Sequence, residues 1–432
     1  MNSKSIAFHH FGCKVNFAET SSISRQFQEN GFTIVDFHQK ADIYVISTCV
    51  VTATAEKKCK AAIRQSHKLN PNARIAVIGC FSELNPSALT QMEGVDLVLG
   101  HSGKFDLLTE LEKLDKPYDF QMSVDRVSKL SAENFIPSFS FGDRTRSFLK
   151  IQDGCDYFCS YCTIPLARGH SRSDSLENVL KNAGEITAKG VKEIVLTGVN
   201  IGDFGRNERT NFLELIRLFE SQIDIPRIRI SSIEPDLLSD EIIDFVATSR
   251  KFLPHFHIPL QSGSNRVLKM MHRKYTRELY ASRIKKIRSV IPFGCIAADI
   301  IVGFPGETDG DFQETLEYVD SLPLSYMHIF TYSKRENTRA AQLLNPVADS
   351  IKRERSEILH QLSSKKKEDF YAQNKSRQVR VLFESDNSHG FMHGFSENYI
   401  KVKTHFNPFF INEIIPVVLE KMDYDGSYML IS

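Results

Sequence analysis

The feature that most constrains the fold is a repeated alternation of short β-branched segments with amphipathic helical patterns. In the first part of the chain it predicts strands at Ile6–His9, Asp42–Ser47, Arg74–Ile78 and Val95–Leu99. It predicts helices at Ala18–Asn30 and Thr54–Leu69. Strands that alternate with helices form parallel sheets covered on both faces. We therefore predict an α/β N-terminal domain with a parallel sheet over residues 1–113.

The alternation resumes after a polar segment, 114–140, which we interpret as a linker because it has little periodicity. Over residues 141–373 it predicts six strands, at Phe148–Gln152, Glu193–Thr197, Arg227–Ser232, His255–Leu260, Ala297–Val302 and Met327–Thr331. Six β/α units in a row favour a parallel barrel, or part of one. Residues 374–432 have only short strand patterns separated by turns, including Gly394–Thr404, which indicates a small all-β barrel.

The chain has eight cysteines in 432 residues, too few for a disulfide-built scaffold of this length. Residues 1–10 lack the apolar stretch of a signal peptide, and no segment reaches the ~18 apolar residues of a membrane helix. We therefore expect a cytoplasmic protein without a membrane partner. In a reducing compartment, thiols more often bind metals or take part in catalysis than form bridges.

Three cysteines follow the first strand of the predicted barrel: Cys155, Cys159 and Cys162, spaced as C-x3-C-x2-C. Three thiolates on a tight loop can hold three irons of a four-iron cluster and leave the fourth iron open to another ligand. The alternative is a three-cysteine zinc site, in which His170 would supply the fourth ligand. The spacing favours the iron–sulfur interpretation.

Three further cysteines, Cys13, Cys49 and Cys80, each follow a strand of the predicted N-terminal sheet. The carboxyl ends of parallel strands lie along one edge of a sheet, where ligand sites form. We therefore predict that these thiols, although far apart in sequence, converge on a second metal site. Cys59 and Cys295 lack such placement, and we assign them to packing.

Gly154–Pro165 resembles the cysteine loop of the radical S-adenosylmethionine (SAM) superfamily, including an aromatic residue, Tyr161, before the third cysteine. Phe11–Thr20, Ser47–Thr52 and Ile78–Phe81 are similar to the ligand segments of the methylthiotransferase family. That family combines a flavodoxin-like N-terminal domain, a partial (β/α)6 radical SAM barrel and a C-terminal TRAM β-barrel. The resemblance implies SAM and two 4Fe-4S clusters as cofactors, one on each cysteine triad.

Two segments narrow the resemblance to one branch of the family: Gly12–Asn16 with Glu19–Thr20, and Arg168–Gly169. That branch converts threonylcarbamoyladenosine at position 37 of tRNA to its 2-methylthio derivative, with SAM as both methyl donor and radical source. Phe17 departs from the pattern, in which glutamine is usual. The alternatives are the isopentenyladenosine branch, the ribosomal-protein aspartate branch and, outside enzymes, a zinc- and RNA-binding protein.

The resemblance also implies cofactor contacts around the predicted strand ends, at Tyr161, Gly198, Asn200, Ser232, Glu234, His257, Gln261 and Asp299. The net charge of +1 gives no general attraction to RNA, but the basic segment after the fourth barrel strand offers phosphate contacts: Arg266, Lys269, Arg273, Lys274 and Arg277. We expect tRNA as the partner, through its anticodon loop. We also expect an electron donor such as flavodoxin or ferredoxin, a sulfur source, and a monomeric enzyme.

Overall fold

The computed structural model describes residues 4–114, 121–124, 134–142, 144–206, 208–423 and 426–430. It has an N-terminal α/β domain, a central partial barrel and a C-terminal β-module. Within the described residues, no helix is both long and apolar enough to cross a membrane.

The N-terminal domain is built on one six-stranded sheet in which every strand runs parallel to its neighbours. The strand order is β2-β1-β3-β4-β5-β6, which extends the flavodoxin-like order by one strand. Its strands are β1 Ser5–His10, β2 Thr33–Val35, β3 Ile43–Thr48, β4 Arg74–Gly79, β5 Leu97–Leu99 and β6 Gln121–Ser123. Its helices are α1 Lys14–Glu29, α2 Ala53–Leu69, α3 Cys80–Leu84, α4 Pro86–Thr90 and α5 Leu107–Lys113.

The predicted strands and the two long helices of this domain are confirmed, except that helix α1 starts earlier than predicted. Helix α1 begins at Lys14, four residues before the predicted start at Ala18. Cys13 has extended backbone angles and caps the helix, so the chain turns from strand to helix at a cysteine. The short elements β2, α3, α4 and α5 were not predicted, because segments of three to seven residues carry too little periodicity.

The central domain contains six parallel strands in chain order. Two sheets, β12-β11-β8-β7 and β13-β14-β15, are joined by parallel bridges between Ile228 and Phe252 and between Ser232 and His257. The strands are β7 Ser138–Phe139, β8 Ser147–Lys150, β9 Gln152–Asp153, β10 Arg172–Ser173, β11 Glu193–Thr197, β12 Arg227–Ile230, β13 His255–His257, β14 Cys295–Val302 and β15 Tyr326–Thr331. The six predicted barrel strands correspond to β8 and β11–β15, which confirms the partial (β/α)6 barrel.

The central domain also contains helices. They are α6 Ile164–Arg168, α7 Leu176–Ala188, α8 Phe212–Gln222, α9 Asp240–Thr248, α10 Asn265–Met270, α11 Arg277–Val290, α12 Asp309–Ser321 and α13 Asp349–Gln373. Five of them begin after a side chain that accepts a hydrogen bond from a backbone N–H of the first turn: Ser175, Asn211, Ser239, Thr276 and Thr308. These caps fix where each helix starts and therefore how each strand end is presented.

The segment predicted as a linker contributes to both neighbouring sheets. Strand β6 pairs in parallel with β5, and β7 pairs antiparallel with β8. Residues 115–120 and 125–133 of this segment lie outside the described residues. The domain bounds 1–113, 114–140, 141–373 and 374–432 stay predictions.

The C-terminal module is one six-stranded sheet in the order β19-β16-β17-β18-β21-β20, and it packs on α13 and the barrel. Its strands are β16 Gln378–Phe383, β17 Phe391–Ser396, β18 Lys401–His405, β19 Ile414–Val418, β20 Lys421–Met422 and β21 Tyr428–Met429. The single strand predicted at Gly394–Thr404 is wrong. A turn with Tyr399 at φ +65° divides it, and this turn brings Tyr399 to the barrel.

Candidate active site

The first cysteine triad occupies a tight loop between β9 and α6. Each sulfur accepts a hydrogen bond: Cys155 from the Tyr157 N–H at 3.5 Å, Cys159 from Arg273 Nη1 at 3.1 Å, and Cys162 from the Ile164 N–H at 3.5 Å. The loop starts at Gly154, where φ is +69° and an added Cβ would lie 1.9 Å from the His170 carbonyl oxygen. Only glycine fits there, so the loop is held closed against its own return segment.

The zinc alternative for this loop is not supported by the position of His170. Its Nδ1 lies 2.7 Å from Asp156 Oδ1, and its side chain is 56% exposed. A tetrahedral zinc ion holds its ligand atoms within roughly 4 Å of one another. In the part of the chain that the structure describes, no group of three ligand atoms within 4.8 Å includes these cysteines. Three soft thiols with N–H···S bonds instead fit an iron–sulfur cluster.

The second cysteine triad lies at the carboxyl edge of the N-terminal sheet, as predicted. Cys13 follows β1, Cys49 follows β3, and Cys80 opens α3 directly after β4. An added Cβ on Gly12 would lie 2.8 Å from Cys49 Sγ, which shows how closely the loop of Cys13 approaches Cys49. Burial, together with the neighbouring Cys80 and Cys13, raises the pKa of the Cys49 thiol to about 12. A bound metal ion would stabilise these thiolates.

Arg168 connects the two triads through a buried interface. It is the last residue of α6, after the first triad, and its Nε donates to Cys80 Sγ at 3.3 Å. Its Nη2 donates to Asn16 Oδ1 at 2.6 Å and Glu19 Oε2 at 2.9 Å, and its Nη1 donates to Asp153 Oδ1 at 2.9 Å. One guanidinium therefore fixes the second triad relative to the strand that leads into the first.

Other charged side chains complete this buried network. Lys104 Nζ and Lys150 Nζ lie 2.6 and 2.9 Å from the Glu19 carboxylate oxygens, and Arg172 Nη2 lies 3.2 Å from Asp153 Oδ2. Burial alone would raise the pKa of Glu19, but Arg168, Lys104 and Lys150 hold it well below its usual range. The carboxylates are therefore ionised, and the N-terminal domain is joined to the barrel by charge-assisted hydrogen bonds.

Two cavities open beside the triads, and Asp299 and Phe330 line both of them. The first, of about 640 Å³, lies against Cys13, and the second, of about 260 Å³, lies against Cys162. Predicted cofactor-contact residues line both: Gly198, Ser232, His257 and Asp299 the first, and Tyr161, Gln261 and Asp299 the second. A small cavity beside one triad thus shares two wall residues, Asp299 and Phe330, with a larger cavity beside the other.

The other two predicted cofactor contacts, Asn200 and Glu234, line neither of these cavities. Asn200 is buried, and its side-chain oxygen and nitrogen have no hydrogen-bond partner among the described residues. Glu234 forms an ion pair with Arg273, and burial raises its pKa to about 7 despite that neighbour. Unpaired polar atoms of a buried amide favour a ligand contact at Asn200.

The residues predicted to contact RNA divide into two groups. Lys269 and Lys274 are exposed, whereas exposed Arg266 pairs with Asp311 and half-buried Arg277 pairs with Glu314. Arg273 requires a correction, because its side chain is only 3% exposed. It binds Glu234 and Cys159, so it faces the cysteine loop and not the solvent.

Sequence reasoning missed several residues around the first cavity: Lys14, Arg144, Arg146, Arg229, His255 and Tyr399. Lys14 lies within the Gly12–Asn16 segment, which by itself assigns it no role. Nothing in the local sequence of the others separates them from surface or core residues. Their common feature is spatial, since three different parts of the chain bring them to one cavity.

Comparisons with known proteins agree with this geometry. Residues 149–319 match the model of the radical SAM superfamily, and residues 5–100 match that of uncharacterized protein family UPF0004. The chain is 38% identical to threonylcarbamoyladenosine tRNA methylthiotransferase MtaB of Bacillus subtilis, over 97% of this chain and 94% of that protein. The protein of the same name from Aquifex aeolicus is 37% identical, over 92% of this chain and 96% of that protein.

Among solved structures, a radical SAM methyltransferase, TsrM from Kitasatospora setae, shares the fold with a TM-score of 0.55 at 15% identity. The match covers 78% of this chain and 77% of that one. The fold and the cysteine loop thus define a radical SAM enzyme. At this level of identity and coverage to its relatives, the chain belongs to the methylthiotransferase family.

Proposed function

We propose that the chain methylthiolates threonylcarbamoyladenosine at position 37 of tRNA, with SAM as both methyl donor and radical source. The observation that carries this proposal is a pair of cavities, one beside each cysteine triad, that share Asp299 and Phe330 in their walls. A site that generates a radical and a site that delivers sulfur must reach the same carbon atom. The relatives named for this reaction support the choice of nucleoside.

In this proposal, Cys155, Cys159 and Cys162 hold a 4Fe-4S cluster, and Cys13, Cys49 and Cys80 hold an auxiliary one. The clusters and SAM supply radical formation and sulfur transfer when bound. Arg273 donates to Cys159 and Arg168 to Cys80, which stabilises negative charge on those sulfurs. Tyr161 and Gln261 line the smaller cavity, where the SAM nucleoside would lie.

The C2–H bond of adenine has no acidic proton at neutral pH, so general acid–base catalysis alone is inadequate and activation of the bond requires a radical. A dry, shared interior protects that radical from side reactions. The protein's contribution is to exclude water and hold the base near both triads. The network of Arg168, Glu19 and Asp153 does this by closing the interface between the two domains.

We propose that the RNA approaches with the target base splayed out of the anticodon loop. Exposed Lys269 and Lys274 lie on the same segment as Arg273 and would contact phosphates. The C-terminal module has five Lys and Arg against seven Asp and Glu from residue 377 on, so it is better suited to orient the loop than to bind phosphates. An electron donor such as flavodoxin or ferredoxin, a sulfur source, a monomeric state and a cytoplasmic location complete the proposal.

The test is mass spectrometry of tRNA nucleosides from a strain that lacks this protein. We expect the 2-methylthio derivative of threonylcarbamoyladenosine to disappear and to return with the wild-type chain. Cys80→Ala should fail to restore it, while the purified variant still cleaves SAM. Cys295→Ala is the matched control, because this buried thiol packs in the C-terminal core, and it should restore the nucleoside.

Persistence of the methylthio nucleoside in the deletion strain would contradict the proposed substrate. Loss of methylthio-isopentenyladenosine would favour that branch, and loss of a ribosomal methylthio-aspartate would favour the third branch. Zinc in place of iron after anaerobic purification, with no SAM cleavage, would favour a zinc- and RNA-binding protein.

A further inference from the structure

The larger cavity is assembled by three parts of the chain. The start of α1 contributes Cys13, Lys14 and Phe17, the barrel contributes its strand ends, and the C-terminal module contributes Tyr399. Its volume of about 640 Å³ is within the range of small-molecule sites. A cavity that needs all three parts is a place where the chain can recognise a group larger than a bare base.

The charges around this cavity are unbalanced. Four cations line it against one carboxylate, Asp299, which already binds His257 Nε2 at 2.8 Å. Two of the cations have anionic partners: Arg229 binds Glu193 at 2.9 Å and Arg146 binds Glu384 at 2.9 Å. The other two are Lys14 and Arg144.

Lys14 and Arg144 form no ion pair and no side-chain hydrogen bond within the described ranges of the chain. The guanidinium carbon of Arg144 lies 4.8 Å from the centre of the Phe17 ring, one turn along α1 from Lys14. Two unpaired cations that line the same concave surface attract a single anionic group more strongly than either would alone.

His255 gives an independent indication of a missing ligand. It lines the cavity and is 6% exposed, yet neither ring nitrogen has a hydrogen-bond partner among the residues that the structure describes. Burial, with the charges of Arg229 and His257, lowers its pKa well below the usual range, so the ring is neutral. A neutral imidazole offers one donor and one acceptor, which suits a urea or hydroxyl group.

Aromatic rings form the rest of the wall. Phe17, Tyr326, Phe330 and Tyr399 line the cavity, and the His255 and Tyr399 rings lie 4.7 Å apart. Flat apolar surfaces of this kind hold a purine by stacking. The cavity therefore combines a surface for a base, an unpaired polar ring and two unpaired cations.

We propose that this cavity holds the threonylcarbamoyl group of the substrate nucleoside, and that Lys14 and Arg144 bind its carboxylate. This rests on the proposed function and extends it to the residues that determine specificity. Both cations are exposed to solvent in the free protein, and an uncharged isopentenyl group would cover them without giving them a partner. Such a mismatch favours discrimination, because removing a charge from water without providing a partner is costly.

SAM also carries a carboxylate, so the experiment must distinguish two sources of the anion. The reconstituted holoenzyme is given two anticodon stem-loop RNAs, one with threonylcarbamoyladenosine and one with its methyl ester, at saturating SAM. The wild type should prefer the free carboxylate by about 10–100-fold in kcat/KM, as for loss of a charge-assisted hydrogen bond. Arg144→Met and Lys14→Met should bring that ratio close to one.

Arg144→Met is the decisive variant because it lies outside both cysteine segments, and iron content and absorbance spectra check each preparation. Lys181→Met, an exposed residue of α7, is the control and should keep the wild-type ratio. Arg144→Lys should retain most of the preference. Variants that slow both RNAs equally, with the ratio unchanged, would overturn the proposal and indicate SAM as the source of the anion.

A wild type that modifies both RNAs equally well would overturn this inference and leave the proposed function intact. A wild type that modifies neither RNA but accepts an isopentenyladenosine stem-loop would overturn the proposed function together with the inference. The two failures are therefore distinguishable in one set of assays.

Discussion

At the scale of single residues, Arg168 is the most connected side chain of the site. Sequence alone places it in a family motif, but it cannot show that its guanidinium reaches Cys80, which is 88 positions away in another domain. The same holds for Arg273, which looks like a surface cation and is buried against Cys159. Cysteine spacing can be interpreted from the sequence because the cysteines of a triad bind one cluster. The partners of a long cationic side chain instead depend on tertiary packing.

Replacement of Arg168 by methionine should destabilise the protein strongly. The substitution leaves Glu19 and Asp153 buried with fewer cations and removes the hydrogen bond to Cys80 Sγ. We expect a loss of about 3–5 kcal/mol in the free energy of unfolding, measured by anaerobic urea titration. Lys113→Met is the control, since Lys113 is exposed and its pair with Glu110 should contribute less than about 1 kcal/mol. Equal losses for the two variants would contradict this account of the interface.

At the scale of elements, the turn from β1 into α1 determines the geometry of the auxiliary triad. The periodicity of α1 was clear from the sequence, but its first turn was not, because Lys14–Phe17 follow a cysteine that lacks a conventional capping side chain. The prediction of a single strand at Gly394–Thr404 failed for a similar reason. The turn that divides it has Tyr399 at positive φ, and a non-glycine residue there gives no turn signal in the sequence. Both errors fall on residues that line the larger cavity.

Gly12→Ala tests whether this turn holds the auxiliary triad together. Gly12 has φ +97°, and the new Cβ would meet Cys49 Sγ at 2.8 Å, so the loop must move away from Cys49. We expect about four of roughly eight irons per chain to be lost, because the loop of Cys155 is separate. Gly31→Ala shares the positive φ but has open space around it, and it should keep full iron content. Iron analysis after anaerobic reconstitution distinguishes the two, and full loading of Gly12→Ala would refute this role.

At the scale of the whole molecule, buried ion pairs hold the three parts around one cavity. Glu193 of β11 binds Arg227 and Arg229 at 2.8 and 2.9 Å, and these arginines donate to backbone carbonyls at Ser396 in the C-terminal module. The order of the three parts was predictable from strand and helix patterns. Their docking was not, because a net charge of +1 conceals which charges are paired across interfaces.

Glu193→Gln should weaken this docking in a manner that depends on pH. Burial alone would raise the pKa of Glu193, but Arg229 and Arg227 lower it to about 2. A carboxyl with a depressed folded-state pKa contributes stability that is complete above its unfolded pKa, roughly 4.3, and is lost as the pH falls towards 2. The shift corresponds to about 3 kcal/mol at neutral pH. Urea transitions at pH 6 should therefore show the variant to be less stable by about that amount.

The diagnostic quantity is the difference in stability between wild type and Glu193→Gln, followed from pH 6 to pH 3. It should shrink as the pH falls, because the wild type alone loses the contribution of this carboxylate. Glu19 and Asp153 also have pKa values well below their usual range, but they are present in both proteins and cancel in the difference. Glu185→Gln, an exposed change on α7, should match the wild type at both pH values. A difference that stays constant or widens towards pH 3 would show that the arginines do not lower the pKa of Glu193 in the folded protein, and would contradict this account of the docking.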